Sequence, residues 1–531
     1  MPESNYLPNE SFFHGLLHFT AQNPHRIIIR DPEAGLEASW LQFWADVLQT
    51  RSQLLSQLSA WVRDESCVLR ETVHVCVLGK ANYEACVAAF AILGLGGVYL
   101  PLPPHLSPKD MLHLLRTCPQ KHILAEAGFV KQAKEIQQYA AQHNQEVTVI
   151  PIQSQTPAPL SLSALNLQIH ELSTVPASQP GIIFFSSGST GIPKGVVHAR
   201  RFLYDLPRAD PDECALLHRP LYWAGGSMVF IKAILRDQAV QVIDTAASMA
   251  AYWEVLRQGR VTAILSTVLL WDGLAAYYRD HISHLSDEKR DEYRRGVRRL
   301  RNPEIGGYTP LPELLRFWRD EIGKELVVIY ASSETGGDCA FFEGWRYIGM
   351  SVPGREVILS RGDHGEILVR GKMTFIGYLN DEISREDLFT HDGYYKTGDI
   401  AHRKGDHFFF DGRASMDFIK TIASPVPIVY LENQISKLPH IQEAYVVPVY
   451  DARIGNRVGV LARVSAPNYD LQTLRDALAE AQVASHMLPT VLRLLSDEEK
   501  VPMTDSAKIA KMKLLELYFP KSGGMPGKTK L

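Results

Sequence analysis

From residue 73 onward, short apolar runs alternate with longer, predominantly apolar stretches. Residues 73–78 and 98–102 have the length and composition of strands buried on both faces. Between them, residues 83–95 read as an apolar helix that ends at Gly96-Gly97. Strand, helix and strand in that order predict a parallel sheet covered on both sides. Residues 1–70 are mixed, with aromatic-rich helical stretches around 12–19 and 40–58, and residues 152–180 are rich in Ser, Pro and Gln and read as a surface connector. The connector delivers the chain to an apolar run, 182–185, then a polar segment, then the short run Val196-Val197. That is strand, loop, strand. Residues 327–330 predict another strand. Residues 365–371 and Gly377-Tyr378 suggest a β-rich subdomain.

The polar segment is Ser186-Ser187-Gly188-Ser189-Thr190-Gly191-Ile192-Pro193-Lys194-Gly195. Glycines let backbone N–H groups converge on one point, hydroxyls add donors, and a lysine adds a mobile charge. A polyphosphate is the expected guest. A Walker loop needs Gly-Lys-Ser/Thr, whereas here Pro193 precedes the lysine and Gly195 follows it. A nucleophile elbow needs glycines flanking a serine at two-residue spacing, which Ser187 and Ser189 lack.

The order Ser-Ser-Gly-Ser-Thr-Gly-x-Pro-Lys-Gly resembles the phosphate loop of the adenylate-forming (AMP-binding) superfamily. That group includes acyl-CoA synthetases, peptide-synthetase adenylation domains and luciferases. The resemblance continues in order through the chain. Pro220-Leu221-Tyr222-Trp223-Ala224-Gly225-Gly226 is similar to the segment bordering the acid pocket, with Trp223 at the aromatic position. Gly306-Gly307 resembles the cradle for adenine and the acyl group. Tyr330-Ala331-Ser332-Ser333-Glu334-Thr335-Gly336 resembles the motif whose tyrosine stacks on adenine, whose hydroxyl meets the α-phosphate and whose glutamate holds Mg²⁺. Gly336 borders the substrate pocket on this reading. Asp399, in Thr397-Gly398-Asp399, resembles the ribose-gripping carboxylate. Arg413 resembles the arginine near a domain hinge, and Lys508 resembles the lysine that enters the site during adenylation.

The resemblance implies an α/β fold. A large N-terminal domain, 1–411, of α/β subdomains plus a β-rich subdomain would be followed by a small mobile α+β domain, 412–531. It implies an acid–thiol ligase that adenylates a carboxylic acid with ATP, releases pyrophosphate and passes the acyl group to CoA. Ser186, Ser187, Gly188, Ser189, Thr190, Gly191 and Lys194 would hold the β- and γ-phosphates. Lys508, Glu334 and Ser333 would serve catalysis, with Mg²⁺ on Glu334. The pattern around Arg413–Lys420 and residues 274–279 looks nearest to malonyl-CoA synthetase-like members. A Gly-Gly pair usually follows Lys420-Thr421, yet here the chain reads Ile422-Ala423-Ser424-Pro425-Val426-Pro427. Bulky and proline residues cannot copy a Gly-Gly backbone, so adenylation has more support than thioester formation. Malonate would need a cation for its second carboxylate, and Arg301, just before Gly306, is a candidate, but Trp223 and the altered pocket motifs suggest some other acid. The alternatives are an adenylating ligase serving an amine or a carrier-protein thiol, and a degenerate, non-catalytic nucleotide-binding protein.

Composition narrows this little further. The 531 residues suffice for two or more domains, and a net charge of −4 points away from nucleic acid. The charges at 287–299 are balanced and predict a solvated helix face. Six scattered cysteines, with no Cys-x-x-Cys pair, predict reduced thiols. His281 and His284 lack companions for a metal site. No segment predicts a membrane span or signal peptide. Thr529-Lys530-Leu531 resembles the peroxisomal Ser-Lys-Leu address, so a cytoplasmic or peroxisomal location is expected.

Overall fold

The computed structural model describes residues 5–58, 69, 72–117, 122–152, 154, 161–186, 194–307, 310–343, 346–348, 354–379, 384–404, 407–413, 418–420, 425–451, 455–503 and 509–520. The chain divides into two compact units. The first is Met1–Glu356 with Val369–Tyr395, and the second is Val357–Leu368 with Lys396–Leu531. The second unit therefore extends upstream of residue 412.

In the first unit, one sheet has the strand order Gly377–Tyr378, Lys194–Ala199, Pro180–Ser186, Val98–Leu102, His74–Leu78, His122–Ala125, Thr148–Pro151. The strands from Pro180–Ser186 onward run parallel, as the uninterrupted apolar runs predict. Strand periodicity sends alternate side chains to opposite faces. Val75, Val77, Ile182 and Phe184 enter one core with the helix Tyr83–Leu93. Cys76, Leu78, Ile183 and Phe185 enter another with Met111, Leu115 and Ile136. The helix Tyr83–Leu93 starts where the Asn82 side chain accepts the Ala85 N–H, 3.1 Å away. Gly377–Tyr378 was expected in a β-rich subdomain beside 365–371. It instead pairs antiparallel with Lys194–Ala199, Tyr378 opposite Val196.

A second sheet of this unit follows the order Gly337–Glu343, Val327–Ser332, Asn302–Gly306, Ala263–Thr267, Cys214–Leu217, Ala239–Val242, Ile27–Asp31, Leu36–Ser39. Its central strands are parallel, and Gly337–Glu343 turns back antiparallel. Asp287–Arg298 is the solvated helix that its charges predict.

One buried ion pair ties the start of this unit's sequence to the end of the strand Lys194–Ala199. Arg200 follows the strand Lys194–Ala199 directly, and its side chain and that of Glu10 are almost wholly buried. Arg200 Nε donates to Glu10 Oε1 at 2.8 Å and Nη2 donates to Oε2. Nη1 also donates to the carbonyl of Gly97 at 3.1 Å and Nη2 to that of Leu93 at 2.9 Å. Tyr204 donates to Glu10 Oε1 at 2.7 Å.

The second unit holds an antiparallel pair, Tyr395–Lys404 with His407–Arg413. It also holds a three-stranded sheet of Ile441–Asp451, Gly455–Val464 and Val491–Leu494. The helices Ile428–Ile435 and Leu471–Glu480 pack on that sheet through Leu431, Ile435, Leu474 and Leu478. This is the α+β composition expected of the C-terminal segment.

Candidate functional site

The polar segment lies in sequence between two strands, Pro180–Ser186 and Lys194–Ala199, which pair antiparallel with Ser186 opposite Lys194. Ser187, Gly188, Ser189, Thr190 and Gly191 lie outside the described residues, as does the Ser186 side chain. Lys194 is half-buried, with its ammonium 5.2 Å from the centre of the Tyr378 ring. The hydroxyl of Tyr378 donates to Glu334 Oε1 at 3.0 Å. One tyrosine therefore stands between the loop lysine and the candidate metal carboxylate, which are 140 positions apart in sequence. Sequence reasoning missed Tyr378 as a site residue. Its signal was a bare Gly-Tyr pair, and only the pairing with the Lys194–Ala199 strand shows what it meets.

Glu334 lies in the turn that joins Val327–Ser332 to Gly337–Glu343. Tyr330 ends the regular pairing of these strands before a bulge at Ala331. The Thr335 hydroxyl accepts the Ser332 N–H at 3.0 Å and sits 3.0 and 2.9 Å from the carbonyls of Ser332 and Gly337. Phe375 N–H donates to the Glu334 carbonyl at 2.8 Å, so the 375–378 segment holds both backbone and side chain of that glutamate. Gly336 and Gly337 have φ +73° and +103°. A Cβ on Gly336 would collide with the Met373 carbonyl oxygen, so both conformation and space require glycine there. Arg355 donates to the Gly336 and Gly337 carbonyls at 3.1 and 2.9 Å, and Lys232 reaches the Gly336 carbonyl at 3.2 Å.

His198 supports Ser333. The ring is buried and its Nε2–H donates to the Ser333 carbonyl at 2.8 Å, a tautomer required by the acceptor. Burial lowers its pKa to about 4, and the charges of Lys232 and Arg355 add to that. His218 is similarly buried beside Leu265, with its pKa lowered to about 3, by burial first and then the Arg219 charge. Both rings are neutral at pH 7. Their folded pKa values lie below the unfolded value, so the unfolded chain binds more protons in acid. The stability they contribute is complete above pH 6.5 and is lost as pH falls toward 4 and 3. Between pH 7 and 5 each is expected to cost about 2 kcal/mol of unfolding free energy. Urea midpoints across that range should fall, and His198→Gln should flatten the slope. An unchanged slope in that variant would remove His198 from the account.

Trp223 precedes the helix Ala224–Leu235. It is half-buried, edge-on to Tyr222 with ring centres 6.2 Å apart, and 5.5 Å from the Arg219 guanidinium. Gly306 ends the strand Asn302–Gly306 opposite Thr267, and Gly307 follows at φ +90°. Arg301 is not near Gly306. It precedes that strand at its opposite end and pairs at the surface with Asp210 (3.1 Å) and Asp212.

In the second unit, Asp399 is buried, with its N–H donating to Thr397 Oγ1 at 3.1 Å. It lies across the strand pair from Arg413, whose side chain is outside the described residues. Lys508 is also outside them. It lies in sequence between Met503 and Ile509, which form an isolated antiparallel bridge. Pro425–Pro427 forms a short strand paired with Phe418–Lys420, so the departure from Gly-Gly at 422–427 ends in a hairpin arm with Val426 buried. No cluster of three or more His, Cys, Asp or Glu able to hold a metal occurs among the described residues. Glu334 is a hard carboxylate with one oxygen held by Tyr378, a donor type that suits Mg²⁺ alongside phosphate oxygens and water. No helix among the described residues is long and apolar enough to cross a membrane.

The chain matches the AMP-binding enzyme family over residues 33–379. It is 30% identical over 529 residues to the acyl-CoA ligase oryP of Aspergillus oryzae, covering 97% of this chain and 93% of that one. It is 24% identical to the mitochondrial malonate–CoA ligase ACSF3 of Xenopus laevis, covering 89% and 88%. Its fold is shared with ATP-bound MatB from Rhodopseudomonas palustris, with a TM-score of 0.75, 20% identity and coverage of 95% and 98%. The o-succinylbenzoate CoA synthetase MenE of Bacillus subtilis, solved with its acyl-adenylate intermediate OSB-AMP, gives a TM-score of 0.74 at 19% identity, covering 97% and 99%.

Proposed function

The chain belongs to the AMP-binding enzyme family, and from that premise we propose that it is an AMP-forming acid–thiol ligase. It activates a small-molecule carboxylic acid with ATP and transfers the acyl group to CoA. The observation that carries the reading is the Lys194–Tyr378–Glu334 cluster, which places the loop lysine and the metal-type carboxylate against one ring.

A carboxylate is a poor acyl donor because its leaving group would be oxide. Attack of the acid on the α-phosphorus of ATP gives a mixed anhydride and expels pyrophosphate. Charge accumulates on phosphate oxygens in that step, and fixed cations and N–H donors lower its cost. We assign the β- and γ-phosphates to the loop 186–194, with Lys194 at its mouth. Mg²⁺ supplies charge neutralisation between phosphates when bound, and Glu334 is the residue to hold it. Tyr378 fixes the Glu334 carboxylate. Neutral His198 fixes Ser333 by its carbonyl, leaving the Ser333 hydroxyl for the α-phosphate. Tyr330, Gly306 and Gly307 are assigned to adenine, Asp399 and Arg413 to ribose, Trp223 and Gly336 to the acid, and Lys508 to the reacting carboxylate. A hinge near Arg413 is part of the proposal, supported by the likeness of Asp411-Gly412-Arg413 to the segment at the family's domain hinge.

The sequence Ile422-Ala423-Ser424-Pro425-Val426-Pro427, where the family usually carries a Gly-Gly pair after Lys420-Thr421, favours as second reading an acceptor other than CoA, either an amine or a carrier-protein thiol. Purified protein with ATP, Mg²⁺ and a carboxylic-acid panel, with and without CoA, decides between them. Acid-dependent pyrophosphate release with an acyl-CoA mass is expected. Acyl-adenylate as the sole product in the presence of CoA would favour the second reading. No release in folded, ATP-binding protein would defeat both and support a non-catalytic role. Within the cell we propose a cytoplasmic or peroxisomal location. Its support is the likeness of Thr529-Lys530-Leu531 to a peroxisomal address, and a fluorescent reporter ending in residues 523–531 would test it by staining peroxisomes or remaining diffuse.

A further inference from the structure

We propose that His402 and Asp411 form a positioning pair for the nucleotide site, holding a β-bulge that brings residue 413 opposite Asp399; the inference rests on the adenylating function above and on the assignment of Asp399 and Arg413 to ribose. The strands Tyr395–Lys404 and His407–Arg413 begin in regular antiparallel register. Lys404 lies opposite His407, Arg403 opposite Phe408, His402 opposite Phe409 and Ala401 opposite Phe410. The register then shifts. Ile400 lies opposite Gly412 and Asp399 opposite Arg413, so Asp411 is one extra residue on its strand.

That extra residue decides the register position of residue 413. Directly opposed residues of an antiparallel pair share a face, and successive residues of one strand alternate between faces. His402 and Asp399 are three apart, so they belong to opposite faces. Had the first register continued, Gly412 would lie opposite Asp399, and residue 413 would fall on the face of His402 and Phe409. One inserted residue shifts the register by one place, and residue 413 comes level with Asp399 instead. Bulges beside functional sites commonly serve to re-aim the residue that follows.

The contact between His402 and Asp411 pins the extra residue. Both side chains are half-buried. Nδ1 of His402 lies 2.8 and 2.9 Å from the two Asp411 carboxylate oxygens. A carboxylate only accepts, so Nδ1 carries the proton and donates. The imidazole is stacked on Phe409, with ring centres 5.1 Å apart and planes inclined by 12°. Its direct cross-strand neighbour thus orients the ring, and from there the ring grips the bulged residue. Asp399 is held by different groups. Glu366 accepts the Gly398 N–H at 2.8 Å, where the backbone has φ +74°, and the Thr397 hydroxyl donates to the Ile367 carbonyl at 2.7 Å. These contacts come from residues 366 and 367, on the other flank of the strand Tyr395–Lys404. Loss of His402 should therefore act on residue 413 and leave Asp399 in place.

The test measures acid-dependent pyrophosphate release with ATP and with 2′,3′-dideoxy-ATP, using an acid identified in the panel above. Wild type should prefer ATP by about 10-fold or more in kcat/KM, since a site built to bond hydroxyls rejects the analogue lacking them. His402→Ala should raise KM for ATP by about 10-fold, lower kcat less, and change the use of dideoxy-ATP by less than about 2-fold. Asp411→Ala, which removes the other half of the pair and keeps the extra residue, should show the same pattern. His402→Asn should recover most of the loss, because its amide N–H can still donate to Asp411. In an Arg413→Ala background, His402→Ala should cost less than about 2-fold, because its effect passes through residue 413. Equal losses on both nucleotides in His402→Ala and Asp411→Ala, or no loss on either, would overturn the proposal. So would full additivity of His402→Ala with Arg413→Ala. Equal use of ATP and dideoxy-ATP by wild type would defeat the ribose assignment and this inference together while the ligase stands. No release with any acid would defeat the ligase itself, and this inference with it.

Discussion

Glu334→Gln is expected to lower acid-dependent pyrophosphate release on the order of 10²–10³-fold in kcat, the scale of removing one pre-organised charge-stabilising group. The substitution is nearly isosteric. Its amide oxygen can still accept from Tyr378, now 3.0 Å from Oε1, and its backbone carbonyl keeps the Phe375 N–H. The fold should therefore persist while the negative charge is lost. The Mg²⁺ concentration for half-maximal rate should rise, because an amide is a weaker ligand for a hard cation. Tyr378→Phe serves as the graded partner. It leaves the carboxylate but frees its orientation, so a smaller fall is expected with the same direction of Mg²⁺ shift. A Glu334→Gln protein with normal kcat and normal Mg²⁺ dependence would remove Glu334 from the metal role.

Arg200→Leu is expected to destabilise the protein by about 3–5 kcal/mol, the cost of leaving one partner of a buried ion pair unmatched. Leucine fills part of the volume but strands the Glu10 carboxylate, which retains the Tyr204 hydroxyl alone among the donors named here. The carbonyls of Gly97 and Leu93 lose their donor as well. Urea unfolding at pH 7 measures the loss. The double variant Arg200→Leu with Glu10→Leu should recover part of it, since removing both charges also removes the stranded one. A double variant less stable than Arg200→Leu by the full cost of Glu10→Leu alone would show that the two residues act independently.

Local chemistry made much of the architecture legible. Residues 182–185 and 73–78 are apolar without alternation because both sheet faces are covered, as the two cores around Val75 and Cys76 show. The helix at Tyr83 could be read because its long apolar run ends at Gly96-Gly97. Tyr378 could not be read, since its meaning comes from pairing with a strand some 180 positions earlier. Lys232 looks like any polar residue on a helix until the turn at Gly337 is seen against it. Arg301 was misplaced for a geometric reason. Nearness in sequence to Gly306 spans a whole strand, so the two sit at opposite ends, about 16 Å apart at 3.3 Å per residue.

The pairing of Gly377–Tyr378 with Lys194–Ala199 also bears on where the chain can be cut. Val196, buried against Phe375, Phe389 and Tyr395, belongs to a strand whose outer hydrogen-bonding row is covered by this two-residue segment. A fragment ending before residue 377 would expose that row along an apolar strand, a template for adding strands from other molecules. Aggregation of such a fragment would then report an open sheet edge, with the nucleotide loop itself intact. Excision beyond residue 395 would keep the edge sealed and the aromatic cover in place.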